Sequence, residues 1–278
     1  MYDHVHIDEK WFYITKVKKK YYLLFDEEPP ERSTKSKRYI TKVMFMAAVA
    51  RPQWDPNRGC YFDCKIGIWP FIVQEAAKRT SKNRPRGAMV TKAVTSVDRA
   101  MMKEMITEKI MPAIRQKMPR GRRSSPIFIQ QDNAKPHTTS ADISLVEEGQ
   151  KEGWDIRMIN QPPNSPDFNV LDLGFFNAIQ SLQHQEAPTS IDELVSCVEQ
   201  AFNKLSRETL DNTFLSYQNT LESCMKVEGG NKYKLVHMGK EKLRREGRLP
   251  VSIECNPDSI LAARETIDSF YENATTTA

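Results

Sequence analysis

Apolar and polar residues alternate at the start of the chain: Val5 and Ile7 interleave with His4, His6 and Asp8, and Trp11, Phe12 and Tyr13 follow. A period of two predicts a strand over 3–15 and puts Asp8 on the face opposite Val5 and Ile7. Residues 41–52 and 62–73 are longer apolar runs joined by the turn-rich QWDPNRG, a pattern that predicts an antiparallel pair. Between the first two strands, 16–39 is a polar, proline-containing excursion with a short extended piece at 21–25. The period then changes. Val97, Met101, Met105, Ile106, Ile110 and Ile114 stand at helical spacing and predict a helix over 96–118, capped by Thr95 or Ser96, with its methionines as packing residues.

Residues 126–132 (PIFIQQD) read as a short, buried, central strand. A turn at 133–137, a helix over 138–148, a strand over 154–159, the stiff loop QPPNSPDFN and a helix from Leu171 come next. Two amphipathic helices over 191–205 and 208–225 and a last short helix capped by Asp258 complete the pattern. This order is α/β, with antiparallel pairing among the first three strands and parallel crossovers among the later ones. It divides into a mixed-sheet domain over 1–188, with 16–39 inserted, and a helical extension over 189–278.

Three aspartates stand where packing does not explain them. Asp8 lies in HIDEKWF, Asp132 ends the strand IFIQQD, and Asp172 opens the amphipathic helix, with thirty-nine residues between the last two. Each alone is an ordinary strand-end, turn or helix-start residue; the joint placement is what carries chemistry. If the strand ending near Asp132 pairs with the strand of Asp8, two carboxylates share one sheet edge and the helix brings in the third. Carboxylates converging from separate elements suit a pair of hard divalent ions, the arrangement that phosphoryl transfer on nucleic acid uses. Glu9 and Asp167 are the nearest rivals, but alternation turns Glu9 to the other face and Asp167 organises its loop. His137 is read as satisfying the turn backbone. Trp11, Trp69 and Trp154 are read as core residues, and Trp54 as partly exposed.

Net charge is only +5, yet it is unevenly spread. Residues 32–42 and 78–92 hold five and six Lys/Arg without an acid, and 115–123 adds five more, which favours a polyanionic partner. The five cysteines are scattered and odd in number, and are read as buried thiols of a reducing compartment. No apolar run reaches the ~20 residues that a bilayer crossing needs, and the first residues lack the apolar core of a signal peptide, so a soluble, non-secreted protein without membrane contact is expected.

The strings HIDEKWF, QQDNAKPHT, PPNSPDFNVLDLGFF and GGNKYKLVHMGK, in this order and spacing, resemble the catalytic domain of mariner-like transposases of the DDE/DDD superfamily, especially the plant-type branch. The resemblance covers essentially the whole chain. It implies an RNase H-like fold, Asp8, Asp132 and Asp172 as catalytic ligands of two Mg²⁺ or Mn²⁺ ions, and no small-molecule cofactor. It further implies DNA cleavage and strand transfer in cut-and-paste transposition, a homodimer on DNA with the 16–39 loop reaching the partner, and a place in the nucleus. RQKMPRGRRS is a weak import candidate. One departure stands out: nothing before Asp8 forms the helix-turn-helix region by which the family reads its DNA ends. The expectation is therefore a truncated copy, with a catalytically idle DNA-binding or dimerisation module as the alternative and a nuclease acting on RNA–DNA hybrids as a third reading.

Overall fold

The computed structural model describes residues 1–15, 24–28, 39–82, 84–119, 125–134, 137, 141–230 and 232–276. Most of the 16–39 excursion and half of the import candidate lie outside these residues. The strands are β1 (His4–Tyr13), β2 (Lys42–Ala50), β3 (Gln53–Asp55), β4 (Cys60–Phe62), β5 (Lys65–Pro70), β6 (Ile72–Ala76), β7 (Met89–Ala93), β8 (Ile127–Gln131) and β9 (Ile156–Asn160). Five of them form the main sheet in the order β5-β2-β1-β8-β9. β1 runs antiparallel to β2, from Val5 opposite Ala50 to Tyr13 opposite Lys42, and β2 is antiparallel to β5. β8 is parallel to both β1 and β9. The mixed sheet expected from the chain pattern is therefore present, with the apolar β2 buried along most of its length between two neighbours.

Helices cover this sheet. Residues 99–117 form one rod: α1 (Arg99–Glu104), a π-helical segment at Met105–Ile110, and α2 (Met111–Lys117), with Met102, Ile106, Ile110 and Ile114 buried. Its cap is Asp98, whose side chain accepts from the Met101 N–H, rather than Thr95 or Ser96. α3 (Ile143–Gly149) packs directly on β9: a Cβ built at Gly149 would lie 2.1 Å from the Ile156 carbonyl oxygen. Gly149→Ala must push helix from strand, and unfolding in urea should show a loss of about 2 kcal/mol.

A second helical layer starts at a π-helical turn, Leu171–Phe175, which runs into α4 (Phe176–Gln183). α5 (Ile191–Lys204) and α6 (Arg207–Met225) follow, each capped by a serine, Ser190 and Ser206. Phe175, Phe176, Val198, Phe202 and Phe214 from this layer join the same core as the sheet. Two further helices, α7 (Lys240–Arg245) and α8 (Pro257–Thr276), close the chain; the α8 start is held by Asn256, whose Oδ1 accepts from the Asp258 N–H, so Asp258 is not the cap. The buried Arg51 at the end of β2 donates to the Val251 carbonyl, tying the segment before α8 to the sheet.

The second apolar run departs from its simple reading. Cys64 takes a left-handed backbone (φ 65°) that breaks 62–73, so β4 pairs with β3 across the QWDPNRG segment while β5 alone joins the main sheet. β6 turns away to pair with β7, a hairpin whose loop and second strand carry the basic 78–92 block. The cysteines also differ from expectation: all are free thiols, but Cys64 alone is buried and Cys60 is exposed. Among the described residues no helix is long and apolar enough to cross a membrane.

Candidate active site

The three aspartates come from three elements that meet at one edge. Asp8 sits in β1 opposite Ala47. Asp132 is the first residue beyond β8, which runs parallel beside β1 with His6 in register with Gln130. Asp172 is the second residue of the π-helical turn. His6 packs its ring against Phe214 and Tyr217 of α6, so the β1 face carrying His6 and Asp8 looks toward the second helical layer, as alternation requires.

The loop between β9 and the helix is pinned over this edge. Gln130 Nε2 donates to the Phe168 carbonyl at 2.7 Å, and Asn133 Nδ2 donates to the Gln161 carbonyl at 2.8 Å. At its end the buried Asn169 does two jobs. Its Oδ1 accepts from the Leu171 N–H at 3.0 Å, holding the helix start, and its Nδ2 donates to Asp8 Oδ2 at 2.7 Å. The other oxygen of Asp8 accepts from the Glu9 N–H at 2.6 Å. Lys10 Nζ lies 4.0 Å from Asp172. Asp167 accepts from the Tyr233 hydroxyl at 3.3 Å, outside this set.

Glu9 does face the other side of β1, but there it meets His137. His137 Nε2 is 2.9 Å from Glu9 Oε1, and Nδ1 is 2.7 Å from Asp132 Oδ1 and 3.0 Å from the Asp132 carbonyl oxygen. The imidazole thus satisfies the turn backbone and also bridges two carboxylates. Burial works against its charge, yet the hydrogen bonds to Asp132 and Glu9 outweigh that and hold the His137 pKa up at about 10. The same hydrogen bond pulls the Asp132 carboxyl below its ordinary range. The histidine's share of this ion triad is fully present below the ordinary imidazole pKa of 6.5 and is lost as pH climbs toward 10, while the share of Asp132, whose pKa is depressed, is lost as pH falls through that lowered value. An NMR titration should find the His137 ring still protonated at about pH 8, and Glu9→Gln should lower its midpoint by a unit or more.

Asp8 behaves in the opposite way. Burial first, then the charges of Asp172 and Glu9, drive its pKa up to about 8. Asp172 is also raised, by burial and by Asp132, with Lys10 working against the shift. Each pair among the three carboxylates therefore repels, with Asp8 the most loaded. Among the described residues, no three His, Cys, Asp or Glu side chains stand close enough to grip a single ion. A divalent pair does not need such a cluster, since Mg²⁺ takes one or two carboxylates and fills its remaining positions with water and phosphate oxygens. The donor set is all hard oxygens, and the raised pKa of Asp8 and of Asp172 marks mutual repulsion that His137 and Lys10 only partly offset, which fits ions of this kind.

A five-stranded mixed sheet flanked by helices defines the class: this is the RNase H-like fold. Among solved structures it is the fold of mariner transposases. The Mos1 mariner paired end complex with Mn superposes with a TM-score of 0.56 at 16% identity, covering 84% of this chain and 57% of that one. The Mos1 strand transfer complex gives 0.56 and 16%, over 83% and 56%. The isolated Mos1 catalytic domain gives 0.50 and 14%, over 82% and 83%. The chain thus spans a little over half the length of the transposase chains in those DNA-end complexes and matches most of the catalytic domain. No protein-family model and no curated protein matches it.

Proposed function

We propose that this chain is a mariner-like transposase catalytic domain, cutting DNA at an element end and joining the freed 3′-hydroxyl to a target, with Asp8, Asp132 and Asp172 as its metal ligands. The observation that carries the reading is the Asp8 carboxyl, held at the junction of three elements with its pKa pushed to about 8 by burial and neighbouring acids. Such a repulsive set is costly unless cations relieve it. When bound, Mg²⁺ or Mn²⁺ would neutralise the entering and leaving oxygens of an in-line displacement. The protein's own residues aim the ligands: Asn169 fixes Asp8 against the helix start, and the Glu9–His137 pair fixes Asp132. DNA as partner is supported by the similar structures, which include a paired-end complex with the left transposon end and a strand transfer complex. A homodimer, a division into catalytic domain 1–188 and helical extension 189–278, and a nuclear location belong to the same proposal.

Two observations favour the idle-module alternative: Asp132 is already paired with a cationic His137, and no three-ligand cluster is preassembled among the described residues. Cleavage of duplex DNA with Mg²⁺ or Mn²⁺ separates the two. Turnover by the folded wild type that Asp132→Asn abolishes supports the transposase reading. Equal DNA binding by wild type and a triple Asp→Ala variant, with no turnover by either, supports the idle module. Parallel assays on an RNA–DNA hybrid would show whether duplex DNA is the preferred substrate.

A further inference from the structure

The β6–β7 hairpin holds a charge that the rest of the chain does not. Residues 72–93 contain six Lys/Arg and one acid, Glu75, a net +5 that equals the formal charge of the entire 278-residue chain. Glu75 is already engaged by Lys92 at 2.5 Å. Among the described residues, Lys78, Arg79, Lys82, Arg84 and Arg86 have no carboxylate within ion-pair distance, and all five are exposed. Their loop is nonetheless built. The Ala77 N–H donates to the Ala88 carbonyl and the Gly87 N–H to the Ala77 carbonyl, Ser81 and Arg84 exchange two more hydrogen bonds at the tip, and the Arg86 N–H donates to Thr80 Oγ1. The base is anchored as well: Val94 N–H donates to Phe71, and Thr91 donates to Asp192 of α5 at 2.5 Å. Five unpaired like charges on one short ordered arm repel one another, a cost that a polyanion removes.

The register places the arm. Asp8 is opposite Ala47, and Ala47 is opposite Ile68, so β5 passes the level of Asp8 two strand spacings away, about 10 Å. β6 begins at Ile72, four residues further on in the direction in which β1 also runs. The root of the arm therefore lies about 10 Å to the side of Asp8 and about 13 Å further along the strand direction, within roughly five phosphate steps along one strand of a duplex. We propose that the β6–β7 arm grips the phosphate backbone of duplex DNA beside the aspartates, without reading sequence. The inference rests on the nucleic-acid reading above and adds the surface that holds the substrate.

The test uses the full chain and a fluorescent duplex of about 30 base pairs of arbitrary sequence, with affinity followed by anisotropy over a salt series. Replacing Arg79, Lys82, Arg84 and Arg86 together by Gln should weaken binding about 50-fold at 0.1 M salt. It should also lower the slope of log affinity against log salt by about 3. In a cleavage assay the same variant should raise KM and leave kcat at saturating DNA unchanged. A second variant, with Lys109, Lys204, Lys234 and Arg264 replaced by Gln, removes the same charge elsewhere and should bind nearly as wild type. Wild-type affinity in the arm variant overturns the inference, and so does an equal loss in both variants, which would make net charge alone the cause. Arm-dependent binding with no cleavage by the wild type keeps the arm and removes the nuclease reading; cleavage with arm-independent binding does the reverse.

Discussion

Asp172→Asn is expected to lower Mg²⁺- or Mn²⁺-dependent cleavage of duplex DNA by at least about 1,000-fold, roughly 4 kcal/mol of barrier, without unfolding the protein. The side chain is 41% exposed and its nearest ion pair, with Lys10, is long at 4.0 Å, so an amide of the same shape disturbs little. Loss of turnover with an unchanged melting temperature would isolate the carboxylate charge as the cause. Asp132→Asn should be equally inactive but somewhat less stable, because it also gives up the short contact to His137. Retained cleavage in the Asp172 variant would remove that residue from the reaction.

Asp8→Asn should do what few catalytic-site changes do, namely stabilise the metal-free protein. A carboxyl whose folded pKa of about 8 lies above its ordinary 3.8 opposes folding once it ionises. The penalty is absent below about pH 4, grows as pH climbs toward 8, and is constant beyond. Near pH 7 the neutral amide avoids it, still accepts from either the Asn169 amide or the Glu9 N–H, and should gain roughly 3 kcal/mol. Thermal melts with chelator and with millimolar Mn²⁺ check this. Wild type should rise with Mn²⁺ and approach the variant, while the variant should barely respond. A variant less stable than wild type at pH 7 in chelator would mean that Asp8 carries no unrelieved charge.

The sheet was legible because its strands are half or fully buried and announce themselves by alternation or continuous apolar runs. β1, β8 and β9 fall where Val5–Ile7, IFIQQ and IRMIN put them. The β6–β7 hairpin escaped because Pro85, Gly87 and six cations look like a solvated loop, and the exposed arm has little apolar surface to reveal a pairing. The break at Cys64 was equally hidden: a left-handed backbone at a non-glycine leaves no compositional mark. Within the site, the three aspartates were recognisable only jointly. Asn169 looked like one more turn residue of QPPNSPDFN, although an Asn ahead of an amphipathic helix is a capping signal that could have drawn attention to it. Glu9 was correctly turned away from Asp8 but its link to Asp132 runs through His137, a contact 128 residues apart that no local pattern encodes.

The π-helical turn at Leu171–Phe175 gives the carboxylate of Asp172 an aim that differs from the winding of α4 behind it. A π-turn is an ordinary helix holding one surplus residue, so excising one position there would restore regular winding and rotate Asp172 by about 100° while Phe176 and Ile179 kept their seats in the core. Ligand direction is therefore set by one surplus residue in this architecture: a one-codon deletion could silence the chemistry while α4 stays seated, at the cost of turning the buried Leu171 along with Asp172.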